Sequence, residues 1–388
     1  MTKRLRCGRG AVIAALLAVV GLSAALPAAA KQARGREEQN QGSKGGGSGS
    51  PPAREREEEK QQEQRRGGDS VIVIGDGGDG SVVIAPYPGE GSARRSQGRI
   101  VFTSDRERGD WELFLLDGNA GRGRVRRLTK RQGEEKQPRF SPDGRRIVFV
   151  ARESDPFRGA AEGLWVLDVD NPGGSVRQLT VRRVGADADP AWSPDGGRVF
   201  FTSDRDGNRE IYSVNAQTGD DLRRLTNDPA DDAQPCVSPD GRTVLFVSAR
   251  GGAANRRIWR ANATDGTDAQ PLTLSAPALA RLPLEGEGDF ATPVYSPDGS
   301  RIAFFYGSGD HYDLYTVAAD GTDLRRLTRS ASFGTALAWS PDGAYLAFTS
   351  DRDGSYGVFV VHATQGEGAW LARLTDKRSR SGHADWRY

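Results

Sequence analysis

The side chains able to do chemistry in this sequence are carboxylates on short polar turns. Asp204 and Asp206 sit in Ser-Asp-Arg-Asp-Gly at 203–207, and Asp351 and Asp353 in the same pentapeptide at 350–354. Asp189, Asp232 and Asp289 stand at or just before Pro190, Pro235 and Pro293. Carboxylates so grouped can hold calcium, exchange protons as acid and base, or meet a basic partner. The same Asp-x-Asp-Gly spacing is also a polar turn in which Asp and Gly serve the backbone, with Arg205 or Arg352 placed to pair with a neighbouring carboxylate. His311, His362 and His383 share no ligand spacing, so a zinc site is not expected. Gly75-Asp76-Gly77-Gly78-Asp79-Gly80 matches the glycine pattern of a dinucleotide loop. A strand-like run, Ser81 to Pro86, follows where a phosphate-binding helix is required, so a glycine-rich hairpin is expected instead. Calcium on an acidic loop is the one ion that fits, and no other cofactor is expected.

The elements that carry these turns repeat. Ser-Pro-Asp-Gly recurs at Ser141, Ser193, Ser238, Ser296 and Ser340, spaced by 52, 45, 58 and 44 residues. Proline pre-sets the first turn position and glycine supplies a positive φ, so each copy is a hairpin connection. A serine that recurs five times with no base at a fixed offset is not a nucleophile. An apolar strand ending in Phe recurs at Phe102, Phe149, Phe201, Phe246, Phe304 and Phe348, and Leu-Thr at Leu128, Leu179, Leu225, Leu272, Leu327 and Leu374. Both markers count six, and a period of this length built from short strands is that of a propeller blade. The expected fold is all-β, a six-bladed β-propeller of four-stranded antiparallel blades. The tail at 384–388 repeats the innermost-strand pattern of Phe140, Trp192, Tyr295 and Trp339, where Val237 is the aliphatic exception. It is expected to pair with the strand at 99–104 and close the ring, which removes a sheet edge.

The stretch Phe201 to Tyr212, reading Phe-Thr-Ser-Asp-Arg-Asp-Gly-Asn-Arg-Glu-Ile-Tyr, resembles the TolB-type propeller repeat family. Related repeats form the non-catalytic propellers of prolyl-oligopeptidase-like peptidases. The resemblance covers residues 99 to 388. It implies association with the cell envelope and, as in that family, a lipoprotein partner of the outer membrane. The chain departs from the family's two-domain plan, because residues 31 to 95 are mostly low complexity where an α/β domain is implied. Blade five reads Phe305-Tyr306-Gly307-Ser308-Gly309-Asp310 in place of Ser-Asp-Arg, and Leu337 replaces the usual proline.

Ahead of the repeats, Lys3, Arg4, Arg6 and Arg9 precede an apolar run and the small residues Ala28 to Ala30, the composition of an export signal at 1–30. Residues 31–69 hold Gly/Ser-rich and Glu/Arg-rich stretches with almost no apolar side chain, so a disordered tether is expected. Residues 70–97 read as a short β-hairpin and linker, and 98–388 as the propeller. The protein is therefore expected to be exported, periplasmic or extracellular, with no stable membrane insertion. Cys7 lies in the signal, which leaves Cys236 as the only other thiol. Of 54 basic residues four lie in the signal, so the remainder nearly balances 52 acidic ones, and no nucleic-acid footprint follows.

Propeller geometry puts the Ser-Pro-Asp-Gly hairpins on one face. The loops between second and third strands and those between blades share the other. That loop face receives Asp204, Asp206, Asp232, Asp289, Asp351 and Asp353, and the channel rim is expected near Gln137, Asp189, Gln234, Thr292 and His383. Binding residues concentrate on loops held by a rigid scaffold. Three functions fit: a non-enzymatic platform for a protein or peptide in the envelope, acting as a monomer; a metal-assisted lyase or hydrolase using the carboxylates and His383; and a carbohydrate or cell-wall module. No Gly-x-Ser-x-Gly occurs, which argues against a peptidase.

Overall fold

The computed structural model describes residues 98–387 except 108, 118–122, 153–160, 183–184, 284–287, 330–333 and 367–370, together with short strands at 73–74 and 81–83. The chain divides into compact units Met1–Glu38 and Gln39–Tyr388, and every described residue lies in the second. The export signal and the tether fall outside the described residues.

Alternation of apolar side chains on both faces of each second strand dictates how the blades stack. In Arg198–Ser203 of blade three, Val199 and Phe201 pack with Val148, Leu164 and Val166 of blade two. The intervening Phe200 packs with Val244 and Phe246 of blade four. Both faces are thus buried, which is why these strands read as unbroken apolar runs. Six antiparallel sheets result, ordered from the innermost strand outward. Blade two, for example, runs Glu135–Phe140, Arg146–Arg152, Glu162–Asp168 and Arg177–Gln178.

The C-terminal strand closes the ring. Ser381–Arg387 pairs antiparallel with Arg99–Ser104, from Ser381 opposite Ser104 to Arg387 opposite Arg99, and becomes the innermost strand of blade one. Trp386 is 3% exposed and joins Ile100, Phe102 and Phe114 of that blade to Val358 and Val360 of blade six. At the outer edge of blade one, Gly123–Arg127 pairs with Ser81–Val83, which pairs in turn with Val73–Ile74, so this sheet has six strands. The glycine-rich turn between those two strands lies outside the described residues.

Turn and ladder chemistry accounts for the repeated motifs. In each Ser-Pro-Asp-Gly the serine Oγ donates to the aspartate Oδ1, at 2.5 Å for Ser193 to Asp195, and also accepts the N–H of the residue opening the next strand, 2.9 Å from Arg198. Glycine follows at positive φ, 69° at Gly196. The threonine of Leu-Thr caps the third strand: Thr129, Thr180, Thr226, Thr328 and Thr375 accept the N–H of Leu113, Leu164, Ile211, Leu314 and Val358. No described helix is long and apolar enough to cross a membrane.

Candidate binding site around the channel mouth

Every innermost strand steps out of register once, and the step builds the channel wall. The shift falls between Lys136 and Arg139, Ala188 and Ala191, Ala233 and Cys236, Ala291 and Val294, Thr335 and Leu337, and Gly382 and Asp385. One residue in each bulge takes a positive φ: Gln137 50°, Asp189 51°, Gln234 58°, Thr292 51°, Ala336 49° and His383 48°. Left-handed backbone costs a non-glycine residue about 1–3 kcal/mol unless its surroundings enforce it. At Asp189, Gln234, Thr292 and His383 the preceding blade does so by bonding the backbone N–H left unpaired in the bulge.

Those bonds form a girdle. Gln137 Oε1 accepts Asp189 N–H at 2.8 Å while Gln137 Nε2 donates to Asp189 Oδ1 at 2.8 Å. Thr202 Oγ1 donates to Asp189 Oδ2 and accepts Gln234 N–H, both at 3.0 Å. Gln234 Oε1 accepts Thr292 N–H at 2.8 Å, and Thr349 Oγ1 accepts His383 N–H at 2.8 Å. Gln137, Asp189, Gln234, Thr292 and His383 therefore share one ring of the channel, but much of their hydrogen bonding goes to joining blades.

Burial sets the charge of this ring. It raises the carboxyl of Asp189 above its usual range, against the hydrogen bonds from Thr202 and Gln137 that favour the anion. It lowers His383 to about 4, helped by the nearby Lys136 and Arg139 cations, so the imidazole is neutral at pH 7. Thr103 Oγ1 lies 3.3 Å from His383 Nδ1.

The turn carboxylates lie on the loop face as individual ion pairs. Asp204 receives Arg182 at 2.5 Å and Ala186 N–H at 3.1 Å. Asp206 accepts the hydroxyl of Tyr212. Asp353 receives Arg373 at 2.5 Å and Lys377 at 3.3 Å. Asp289 accepts Arg256 N–H at 2.7 Å, and Asp351 has one buried oxygen, Oδ1, without a partner among the described residues. Asp232 is 0% exposed and paired with Arg250, so it offers no free carboxylate to solvent. Burial raises its carboxyl, with Ser248 and Arg250 opposing. Asp204, Asp232, Asp289 and Asp353 are thus each paired with an arginine.

The sequence places Arg205 and Arg352 to pair with a neighbouring carboxylate; it does not disclose their stacking on aromatic rings, although the signal was present as Ser-x-Arg. Ser104, Ser203, Ser248 and Ser350 accept the N–H of Arg106, Arg205, Arg250 and Arg352. Each guanidinium then lies over two aromatic rings of its own blade, as Arg205 does 5.2 Å from Phe201 and 4.9 Å from Tyr212. Arg205 also reaches the buried Asp187 at 2.9 Å. The motif therefore caps the blade core with a cation, and at Arg205 and Arg250 it also neutralises an acid at the start of the innermost strand. Blade five, whose sequence lacks Ser-x-Arg, places Phe290, Tyr306 and Tyr315 together instead.

No group of three His, Cys, Asp or Glu side chains among the described residues is arranged to hold a metal ion. The TolB beta propeller domain family matches residues 156–279 and 285–384, more than half of the sequence. The chain belongs to that family. It is similar to the Tol-Pal system protein TolB of Anaeromyxobacter dehalogenans, 30% identical over 59% of this chain and 40% of the relative. It is also similar to the uncharacterized peptidase YuxL of Bacillus subtilis, 28% identical over 58% of this chain and 31% of that protein. Less than half of either relative is therefore spanned. The crystal structure of TolB from Acinetobacter baumannii superposes with a TM-score of 0.59 at 21% identity, over 74% of this chain and 66% of that one, a likeness of fold.

Proposed function

We propose that the protein is an exported, non-enzymatic binding platform that takes a protein or peptide partner of the cell envelope on its loop face, around the channel mouth. One contrast carries this reading: the hairpin face presents one turn five times, whereas the ring of bulges presents six positions occupied by Gln, Asp, Gln, Thr, Ala and His. A varied surface on a rigid frame is what recognition requires, and side chains already fixed by ion pairs lose little freedom on docking. The relatives named as Tol-Pal system proteins support a partner in the envelope, and the basic, apolar leader of residues 1–30 supports export. The chemistry of the ring points away from catalysis, since Asp189 is committed to Gln137 and Thr202, and His383 Nδ1 faces the Thr103 hydroxyl.

Hydrogen exchange of the propeller with an envelope fraction tests the reading. Protection is expected on loops 204–209, 227–232 and 351–356. Asp204→Asn with Asp206→Asn, at carboxylates 36% and 49% exposed, should weaken capture without moving the melting temperature much. Protection confined to the Ser-Pro-Asp-Gly turns would place the site on the other face.

A further inference from the structure

On the hairpin side of the propeller, two blades carry the same group of three charges. In blade three Arg198, which opens the second strand, and Arg223, which begins the fourth, both bond Asp221, at 2.6 and 2.7 Å. In blade five Arg301 and Arg325 both bond Asp323, each at 2.8 Å. Each aspartate stands two residues before its fourth-strand arginine in the left-handed region, at φ 54° and 47°. One carboxylate thus bridges two guanidinium groups and offsets their repulsion.

Blade two has the arginines without the acid. Arg146 opens its second strand opposite Asp168, and Arg177 begins its fourth strand opposite Val166, which is the register of Arg198 opposite Asn215 and Arg223 opposite Ser213. The bridging position falls to Ser175, at the end of the short helix Pro172–Ser175, and its Oγ accepts the Asp168 N–H at 2.7 Å. Both arginines reach instead to adjacent residues of blade three. Arg177 Nη2 donates to the Ala216 carbonyl at 2.8 Å, and Arg146 donates to Gln217 Oε1 at 3.4 Å and to the Gly196 carbonyl at 3.3 Å. The Arg146 guanidinium also lies over the Trp192 ring, 4.8 Å from its centroid. These acceptors are all neutral, and neither arginine forms an ion pair with the described residues; Asp168 accepts the N–H of Asp170 at 2.9 Å. Burial, and then the Arg146 charge, hold the Arg177 guanidinium below its ordinary value.

Arg146 and Arg177 are both half-buried, so solvent reaches them, yet they lack the anion that their counterparts in blades three and five share. The planar fork of arginine matches the paired oxygens of a carboxylate, and the part-buried setting strengthens that attraction relative to open water. We propose that the seam between blades two and three binds a carboxylate at Arg146 and Arg177, either a free small acid or the Asp or Glu side chain of a peptide, in the role that Asp221 and Asp323 fill elsewhere. The long bond from Arg146 to Gln217 is the one such a ligand displaces. The site lies at the hairpin ends of the strands, so it does not depend on whether a partner docks on the loop face.

Melting of the full chain in malonate against chloride of equal ionic strength tests the site. Malonate at about ten times its dissociation constant should raise the melting temperature by about 2 °C more than chloride does. Arg177→Gln should abolish that excess, and Arg177→Lys should keep part of it. Two tripeptides blocked at both ends sort the sources. Stabilisation by Gly-Asp-Gly but not by Gly-Asn-Gly identifies a peptide-borne carboxylate as a ligand, and an effect of malonate alone identifies the free acid. No excess with either carboxylate overturns the proposal, as does an excess that survives Arg177→Gln undiminished. Should Arg177→Gln fail to fold, the parent chain still decides: the side-chain Nε resonances of Arg146 and Arg177 must shift as malonate is added, and resonances that stay in place sink the site.

Discussion

Gln137 and Asp189 bind each other twice, once through Nε2 to Oδ1 and once through the Asp189 N–H to Oε1, both at 2.8 Å. Two adjacent blades are joined at the point where each innermost strand leaves register. The pair acts on the backbone as much as on the side chains, since it satisfies an N–H that the bulge removed from the ladder. Gln137→Ala would leave that N–H and the buried Asp189 carboxylate short of partners. A loss of about 1–3 kcal/mol is expected in urea unfolding. A variant within about 0.5 kcal/mol of the parent would mean that water replaces the glutamine.

The stacked arginines differ in what lies beneath them. Arg205 covers two rings and pairs with Asp187, which is 0% exposed and also meets Arg182, at 3.6 Å. Arg352 covers Phe348 and Phe359 and bonds Ser350. Arg205→Ala is therefore expected to cost about 3–5 kcal/mol, because a buried carboxylate loses its closest cation, and Arg352→Ala about 1 kcal/mol. Equal losses at the two sites would show that ring stacking, not the acid, decides the effect.

Acid should loosen the closing strand through His383. Its folded-state value of about 4 lies below the ordinary 6.5, so the unfolded chain binds more protons between those two pH values. Stability contributed by the neutral imidazole is present above about pH 6.5 and is lost as pH falls toward 4. His383→Asn keeps a residue that tolerates the left-handed backbone and removes the titration. Melting temperatures taken from pH 7 to 4 should fall less steeply in the variant, and parallel curves would exclude His383 as a contributor.

Closure itself depends on Trp386, 3% exposed between blades one and six. Trp386→Ala should cost about 3–5 kcal/mol. Removing residues 383 to 388 should cost more, because ladder bonds to Arg99–Ser104 are lost as well. A truncated chain melting within about two degrees of the parent would show that the ring does not need this strand.

The blade count, the hairpin face and the pairing of the tail were legible in the sequence because they rest on local chemistry. Ser-Pro-Asp-Gly specifies its own turn, alternating apolar residues specify strands buried on both faces, and an unmatched copy at Trp386 implies a strand that must pair elsewhere. The state of the carboxylates was not legible. Whether Asp232 is solvated depends on Arg250 folding back over Phe246 and Trp259, and whether Asp189 is available depends on a glutamine 52 residues away in the chain. Neither bond can be read from the residues flanking the acid. The positive φ at Gln137, Asp189, Gln234 and Thr292 is marked only by the proline that follows each, and at Ala336 and His383 by nothing at all. Turn and strand preferences are set within a few residues, whereas burial and charge are set by neighbours that only the closed ring brings together.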